Sequence, residues 1–249
     1  MKHFAFATLV AALMALLTMP VSAANFGNEH LNYQIVYHWG MIWKHAGDAS
    51  LSLKKTGNGY VAQLTGRTRS WAETFYPVRD TLRCTMKSNF APLKYEKLTH
   101  EKDYYARDVV DYSYRGNETF AVGKRYRPGR ATTSVNLSAK CQAYDMLSVF
   151  YMLRTLDFAS MTKNKPYTTV IFSGKEKEYL TIRYRGAENV KLRDGSKHSA
   201  YHLVFKFTQK GGTKSSDDMH VWVATEGNHI PLMLSGSLPF GEVKCYLTK

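Results

Sequence analysis

Hydrophobic and polar residues alternate along most of the chain after residue 33, with the period of two that is typical of β-strands. In the segment 34–39, Ile35, Tyr37 and Trp39 share one face. In the segment 78–87, the even positions are apolar except for Asp80, and the odd positions are basic residues or threonine. The same alternation predicts further strands at 92–99, 104–114, 118–126, 167–173, 177–185, 188–193, 199–209, 218–225 and 232–247.

Turn signals separate the predicted strands and indicate the class of fold. Residues 48–65 predict a hairpin, because two alternating segments flank the turn Gly57-Asn58-Gly59. Many short strands with glycine or Asn/Asp turns between them are typical of an antiparallel sheet that curls into a barrel or sandwich. No tandem repeat or linker divides the sequence, so we expect one domain.

One segment breaks the period of two. Residues 146–158 are apolar on nearly every side, and Asp145 precedes them as a helix N-cap. A helix that is apolar all round is buried, so Arg154 needs an ionic partner, and Asp80 is one candidate. The predicted fold is therefore mainly β: a curved antiparallel sheet, as a half-barrel or open barrel, wrapped around one buried apolar helix.

The first 23 residues predict a signal peptide. A basic start at 1–3 precedes an uncharged apolar run at 4–19, and small residues allow cleavage after Ala23 or Ala24. A single β-rich domain then spans 24–249. The apolar run is shorter than the ~20 residues that cross a bilayer, no later run reaches that length, and no cysteine follows it as in a lipoprotein. We expect an exported protein of the periplasm or outer-membrane periphery, without a lipid anchor or membrane span.

Composition narrows the class of partner. Lys and Arg total 34 against 20 Asp and Glu, a formal net charge of +14. Such a surface attracts phosphates, uronates or acidic lipids, and an exported protein is not expected to meet nucleic acid. The 12 Phe, 17 Tyr and 4 Trp residues can supply a core, which excludes a disordered chain. Among Cys84, Cys141 and Cys245, the sequence leaves one disulfide or buried free thiols open.

Several motifs of the mature chain share the pattern of one bacterial exported family. They are Trp39-Gly40 with Ala46-Gly47 ahead of the segment 49–53, Asp145-Met146-Leu147-Ser148 with Tyr151 and Arg154, Val221-Trp222-Val223 with the turn at 226–232, and Gly241-Glu242-Val243. On these motifs the chain resembles the family called domain of unknown function 3108, with a YmcC-like fold, although that family more often has Asp where Glu226-Gly227 stands here. The resemblance implies a curved antiparallel half-barrel with a helix against its inner side, similar in shape to periplasmic carriers of lipids. It implies no activity.

No catalytic or metal site is predicted. His198 and His202 lie on a predicted strand, where a spacing of four residues separates side chains by ~13 Å, too far for one metal ion. The chain has no Gly-x-Ser-x-Gly elbow and no phosphate-binding glycine loop. Ser52 and Lys55 match Ser-x-x-Lys only on an exposed hairpin face. We therefore expect no cofactor.

Basic residues beside tyrosine are the candidate ligand-binding groups. Arg79 and Arg83 share one strand face, and Arg183-Tyr184-Arg185 places charge on both sides of an aromatic ring. Arginine binds phosphate or glycan groups through paired hydrogen bonds and stacking. Asp80 and Arg154 would then form the polar floor of a pocket. The alternative is a basic outer face that binds nothing specific.

These features leave three functions open, with the oligomeric state and the ligand undetermined. The one we favour is a periplasmic binding protein that holds an anionic amphiphile, such as a lipid or glycolipid, between sheet and helix. The second is a glycan-active enzyme or polysaccharide-handling factor that uses an acid such as Asp80 or Asp145. The third is an envelope assembly protein that pairs through an open sheet edge. An apolar concave face favours the carrier, a carboxylate-lined face the enzyme, and a filled interior the assembly protein.

Overall fold

The computed structural model describes residues 26–209, 215–238 and 241–248, which contain fifteen strands and two short helices. The strands are β1 (Glu29–Trp39), β2 (Ile42–Thr56), β3 (Gly59–Thr68), β4 (Arg79–Lys87), β5 (Pro92–Glu101), β6 (Tyr104–Arg115), β7 (Glu118–Arg127), β8 (Arg130–Ala139), β9 (Ala143–Tyr144), β10 (Pro166–Phe172), β11 (Lys177–Lys191), β12 (Lys197–Gln209), β13 (Met219–Ala224), β14 (Pro231–Ser237) and β15 (Glu242–Thr248). The helices are α1 (Ser70–Glu73) and α2 (Ser148–Leu153). The predicted signal peptide lies outside the described residues. Neither described helix has the length and apolar composition needed to cross a membrane.

All fifteen strands belong to one sheet, in the order β8 down to β1, then β15 down to β9. Most strands that are consecutive in sequence pair with each other and run antiparallel. Strand β1 pairs with the last strand, β15, which sets Ile35 opposite Cys245. Strand β9 pairs parallel with β10 across the connection that contains α2, and β8 and β9, although consecutive, lie at opposite edges of the sheet. The predicted hairpin at 48–65 is confirmed, since Ser50 pairs with Thr65 across β2 and β3.

The sheet curls until its two edges approach, so the barrel is nearly closed. Where the two edges meet, side-chain hydrogen bonds take the place of backbone pairing between strands. The Thr119 hydroxyl donates to the Cys141 carbonyl at 2.8 Å and accepts from the Ala143 amide at 3.0 Å. Four residues farther along β7, the Gly174 carbonyl packs against Gly123, and a Cβ added to Gly123 would lie only 2.9 Å from that oxygen. The prediction of a mainly β, curved antiparallel sheet is confirmed, and the curvature goes further than a half-barrel.

The single long helix predicted at 146–158 is not confirmed. Helix α2 has six residues, and the chain continues from residue 154 in turns and irregular backbone. The N-cap position is Leu147 and not the predicted Asp145. Asp145 lies just before it, and its Oδ1 accepts hydrogen bonds from the amides of Leu147 (2.7 Å) and Ser148 (2.8 Å). Residues after the helix, including Leu156 and Phe158, are nevertheless buried. A run that is apolar on every side predicts burial, but it does not fix the length of a helix.

Three other strand predictions change in detail. Strand β8 was not predicted; it is an edge strand whose first half, 130–134, is mostly polar, and only Val135, Leu137 and Ala139 alternate as an apolar face. Predicted strands 177–185 and 188–193 are one strand, β11, interrupted by a bulge at Tyr184/Gly186. The predicted strand at 232–247 is the two strands β14 and β15.

The sheet buries side chains on both of its faces. Inside the barrel, one cluster packs Leu147 and Tyr151 against β1 to β8 and β10, and another packs the rest of α2 and the segment after it against β10 to β13. A third cluster joins Val36, Met233 and Tyr246 with Val190 and Leu192 of the β11–β12 hairpin. Tyr246 faces the opposite side of β15 from Cys245, so this hairpin folds over the outer face of the sheet.

Candidate functional site

The arginines predicted to bind a ligand do not converge. Arg79 pairs with Glu73 at 2.6 Å and Arg83 donates to Gln63 at 2.7 Å, both on the outer side of β4. Residues 183–185 lie on β11, which is far from β4 in the order of strands across the sheet. Tyr184 is a buried core residue packed beside Phe158, whereas Arg185, on the other face, donates to the Asn164 side chain. These residues therefore form no common pocket.

The predicted pairing of Asp80 with Arg154 is wrong. Arg154 makes two hydrogen bonds of 2.8 Å to the Glu29 carboxylate, and its Nε donates to the Asn228 carbonyl at 2.9 Å. Asp80 instead accepts from the His100 amide at 2.9 Å. The two residues lie toward opposite ends of the barrel. Arg154 follows α2 and lies near the start of β1, whereas Asp80 lies at the start of β4.

An apolar pocket of about 840 Å³, the mouth pocket, opens at the end of the barrel where β1 turns into β2. Its walls carry Ile35, Tyr37, Trp39, Trp71, Phe75 and Val243. The alternation that the sequence shows at 34–39 places three of these side chains on the inner face of β1. For the other wall residues, the sequence contains a signal only at 71–76, where Trp71, Phe75 and Tyr76 are aromatic and fit no strand pattern.

Helix α1 forms one wall of the mouth pocket, and hydrogen bonds to the sheet fix its position. The Trp71 indole donates to the His45 carbonyl at 2.6 Å, and the Arg69 amide donates to the Ala46 carbonyl at 2.8 Å. At its other side, the Val78 amide donates to the Thr68 hydroxyl at 2.9 Å. The wall is therefore preformed, as is usual for pockets that take small molecules.

A second apolar space of about 250 Å³, the inner cavity, lies between the sheet and α2. Its walls include Leu51, Leu64, Leu82, Leu147, Phe150 and Leu234. Ile35 and Gly66 line both the mouth pocket and the inner cavity, so the two spaces adjoin there. A Cβ added at Gly66 would meet no atom within 4 Å, so the missing side chain contributes to the open space.

The walls of both spaces carry little charge. Cys245 lines the inner cavity, and burial raises the pKa of its thiol to about 11, so it is protonated at neutral pH. Asp80 borders the cavity with its carboxylate 3.7 Å from Lys97. At the mouth, the Lys44 ammonium lies 4.2 Å from the centre of the Trp71 ring. Lys44 makes no ion pair with any described residue, so this cation is available at the rim.

The buried acid Asp145 is structural rather than part of the pocket. Its carboxylate is fully buried, and burial raises its pKa despite the hydrogen bonds that it accepts. One of those comes from the Cys84 thiol at 2.8 Å, which joins β4 to the start of α2. Burial, with the nearby Asp145, raises the pKa of Cys84 as well, so the thiol is unreactive. Cys84, Cys141 and Cys245 form no disulfide among the described residues.

A polar groove of about 640 Å³ runs along the first four strands. Gln34, Asp48, Arg67 and Arg79 follow one another across β1 to β4 in register. Hydrogen bonds from Arg69 lower the pKa of Asp48 and hold its carboxylate in the charged form. No cluster of three His, Cys, Asp or Glu residues suited to a metal ion occurs in the described part of the chain.

Comparisons with known proteins agree with this architecture. A crystal structure of a β-barrel-like protein of domain of unknown function DUF1849 from Brucella abortus matches with a TM-score of 0.63 and 10% sequence identity. The match covers 91% of this chain and 98% of that chain; at such low identity it shows the fold alone. No curated protein matches the sequence. The model of the family described as protein of unknown function (DUF3108) matches residues 32–248, so the chain belongs to the DUF3108 family, as its motifs predict.

Proposed function

We propose that the protein binds an amphiphile, a lipid or glycolipid, with the apolar part held in the mouth pocket and the inner cavity. The observation that carries this proposal is an apolar space that opens at one end of the barrel and continues to α2. Apolar groups gain ~25 cal/mol for each Å² that they remove from water. Walls that are mostly apolar favour such groups over sugars. The predicted export would place the carrier in the periplasm or at the outer-membrane periphery.

The charged end of the amphiphile would remain at the mouth. Lys44 is exposed there, it stacks on Trp71, and no described acid neutralises it. A carboxylate or phosphate head group at the rim would therefore meet a cation that keeps contact with water. This arrangement favours an anionic amphiphile, in agreement with the net charge of +14.

Substitution at Gly66 tests this proposal without removing any interaction. A leucine at Gly66 would project into the space where the two cavities adjoin, because nothing lies within 4 Å of its Cβ. Gly57, in the β2–β3 turn at the other end of the barrel, has an equally open Cβ position and offers Gly57→Leu as the matched control. We expect Gly66→Leu to weaken binding of a dansyl-labelled fatty acid at least ~10-fold, which is ~1.4 kcal/mol, and Gly57→Leu to leave it unchanged.

Two measurements complete the test. Gly66→Leu should raise the free energy of unfolding by about 1–3 kcal/mol, because it removes a strand glycine and buries methylene groups. Organic extraction of the protein purified from cells, followed by mass spectrometry, should release a bound amphiphile from wild type. Equal probe binding by wild type and Gly66→Leu, or an empty extract together with no probe binding, would contradict the proposal.

The polar groove keeps the glycan function as a second candidate. Asp48 and Asp80 both line it, together with three arginines. The two carboxylates of such an enzyme flank one glycosidic bond, whereas Asp48 is in register with Arg67 and Asp80 with Gly66, which places the two acids on opposite faces of the sheet. The groove is thus better suited to bind an anionic sugar than to cleave it. Binding of an oligouronate that Arg67→Gln abolishes, with the dansyl fatty acid not bound, would favour this candidate.

A further inference from the structure

The rim of the mouth pocket is the most exposed apolar surface of the described chain. Two segments form this apolar rim: residues 39–43 at the β1–β2 turn and residues 75–76 after α1. Met41 is 98% exposed and Phe75 is 75% exposed. Every large apolar residue of the described chain that is at least half exposed lies on these two segments. Concentrated exposure of this kind marks a surface that contacts another apolar phase.

The composition and shape of the apolar rim fit a lipid interface. Trp39, Trp43 and Tyr76 are residue types that collect at the head-group level of membranes, where one part of the ring is apolar and another is wet. Met41 occupies the tip of a two-residue turn, next to Gly40 with φ +55°. A narrow protruding tip finds no complementary groove on a flat protein face, whereas an acyl layer accommodates it.

Charge next to the apolar rim selects the kind of lipid. The segments 39–44 and 67–79 carry four cations, Lys44, Arg67, Arg69 and Arg79, against one acid, Glu73. A second acid, Glu101, reaches the rim from β5 and accepts a hydrogen bond from the Tyr76 hydroxyl at 3.1 Å. Glu73 pairs with Arg79, and Arg69 pairs with Asp48. Arg67 and Lys44 make no ion pair with described residues and remain free to meet phosphate groups. Basic residues that flank an apolar insertion are attracted to anionic lipid head groups.

We propose that the apolar rim docks the barrel on an anionic lipid bilayer, with the mouth pocket facing the acyl layer. This proposal rests on the proposed function, because docking at this end lets an amphiphile enter the pocket directly from the bilayer. Passage of its apolar part through water is then avoided, which is the main barrier to exchange of lipids. The partner is a lipid surface, and a protein partner is an outcome that the test below distinguishes.

Vesicle sedimentation tests the docking with protein purified from cells that express the full chain. Wild type should bind vesicles of phosphatidylglycerol and phosphatidylcholine, bind pure phosphatidylcholine more weakly, and dissociate as salt is raised. Met41→Ser/Trp43→Ser changes two exposed rim residues that do not line the mouth pocket; it should weaken vesicle binding ~10-fold or more and preserve folding. Val61→Ser/Leu93→Ser, each 38% exposed toward the opposite end of the barrel, is the matched control and should bind as wild type does.

A second readout separates this proposal from the proposed function. In the absence of vesicles, the rim variant should bind the dansyl-labelled fatty acid as wild type does, whereas Gly66→Leu should bind vesicles as wild type does and bind the probe at least ~10-fold more weakly. Probe binding by wild type without vesicle binding would overturn the docking alone. Vesicle binding that the rim variant retains, or that needs no anionic lipid, would also overturn it. Loss of a copurifying protein from the rim variant, with no wild-type binding to vesicles, would assign the rim to a protein partner and overturn it too.

Discussion

Removal of one partner from the buried ion pair between Arg154 and Glu29 should strongly destabilise the barrel. The Arg154 side chain is 1% exposed and that of Glu29 is 11% exposed. Glu29→Gln keeps the shape of the side chain but leaves the guanidinium group buried without a counter-charge. Breaking a buried pair in this way costs about 3–5 kcal/mol. The guanidinium group also lies 4.5 Å from the centre of the Phe26 ring, so the loss should loosen the start of the described chain.

Urea unfolding followed by tryptophan fluorescence and circular dichroism measures this cost. For a slope of about 3 kcal/mol per M, a loss of 3–5 kcal/mol lowers the midpoint by about 1–2 M urea. Glu73→Gln is the matched control, because it removes an exposed partner from Arg79. An exposed ion pair contributes at most ~1 kcal/mol, so the control midpoint should shift by less than ~0.4 M.

Two results would refute this reasoning. Equal small shifts for Glu29→Gln and Glu73→Gln would show that the Arg154 charge is not isolated from water. A double variant, Glu29→Leu/Arg154→Met, that is as unstable as the sum of its single variants would show that no unpaired charge causes the loss. We expect the double variant to recover part of the stability, because it buries neither charge.

Two pH dependences complete the predictions. Burial raises the pKa of Asp145 in the folded protein. The stability that Asp145 contributes is therefore full below its unfolded pKa near 3.8 and declines as the pH rises through its folded pKa. Wild type should lose urea stability relative to Asp145→Asn over that range, and a constant difference between the two would contradict this. Burial lowers the pKa of His202 below 6.5, although Glu188 opposes the shift, so its contribution is full above 6.5 and is lost as the pH falls through the folded value. Thermal unfolding from about pH 7.5 to about pH 5 should therefore show wild type falling relative to His202→Gln, and parallel curves would count against the assignment.

The sequence predicted those features that depend on residues close together in the chain. The hairpin at 48–65 is confirmed because both its strands and its turn lie within eighteen residues. The faces of β4 are confirmed in the same way, with Cys84 and Met86 buried and Arg83 exposed. Side chains of a strand alternate between its two faces whatever its neighbours are, so the pattern alone is sufficient.

The local pattern of apolar and polar residues was insufficient where the same pattern is compatible with two backbone structures. The apolar run 146–158 is buried as predicted for Leu156 and Phe158, but only Ser148–Leu153 is helical, since helices and turns bury such residues equally well. Strand β8 shows the reverse case, because pairing with β7 extends the strand through 130–134, which are mostly polar and do not alternate. In both segments, packing against the rest of the chain decides the backbone.

The sequence by itself determined the strand-rich class, the family and the apolar character of the interior. Only the tertiary structure decided which residues meet. Arg154 pairs with Glu29, and Ile35, Cys245 and Gly66 line the inner cavity together. Those contacts depend on the order, register and curl of fifteen strands, and on the joining of residues some two hundred positions apart. The face of a strand on which a side chain lies is a local property of the sequence. Which side chains from different strands meet depends on the pairing of all the strands, and no single segment determines that.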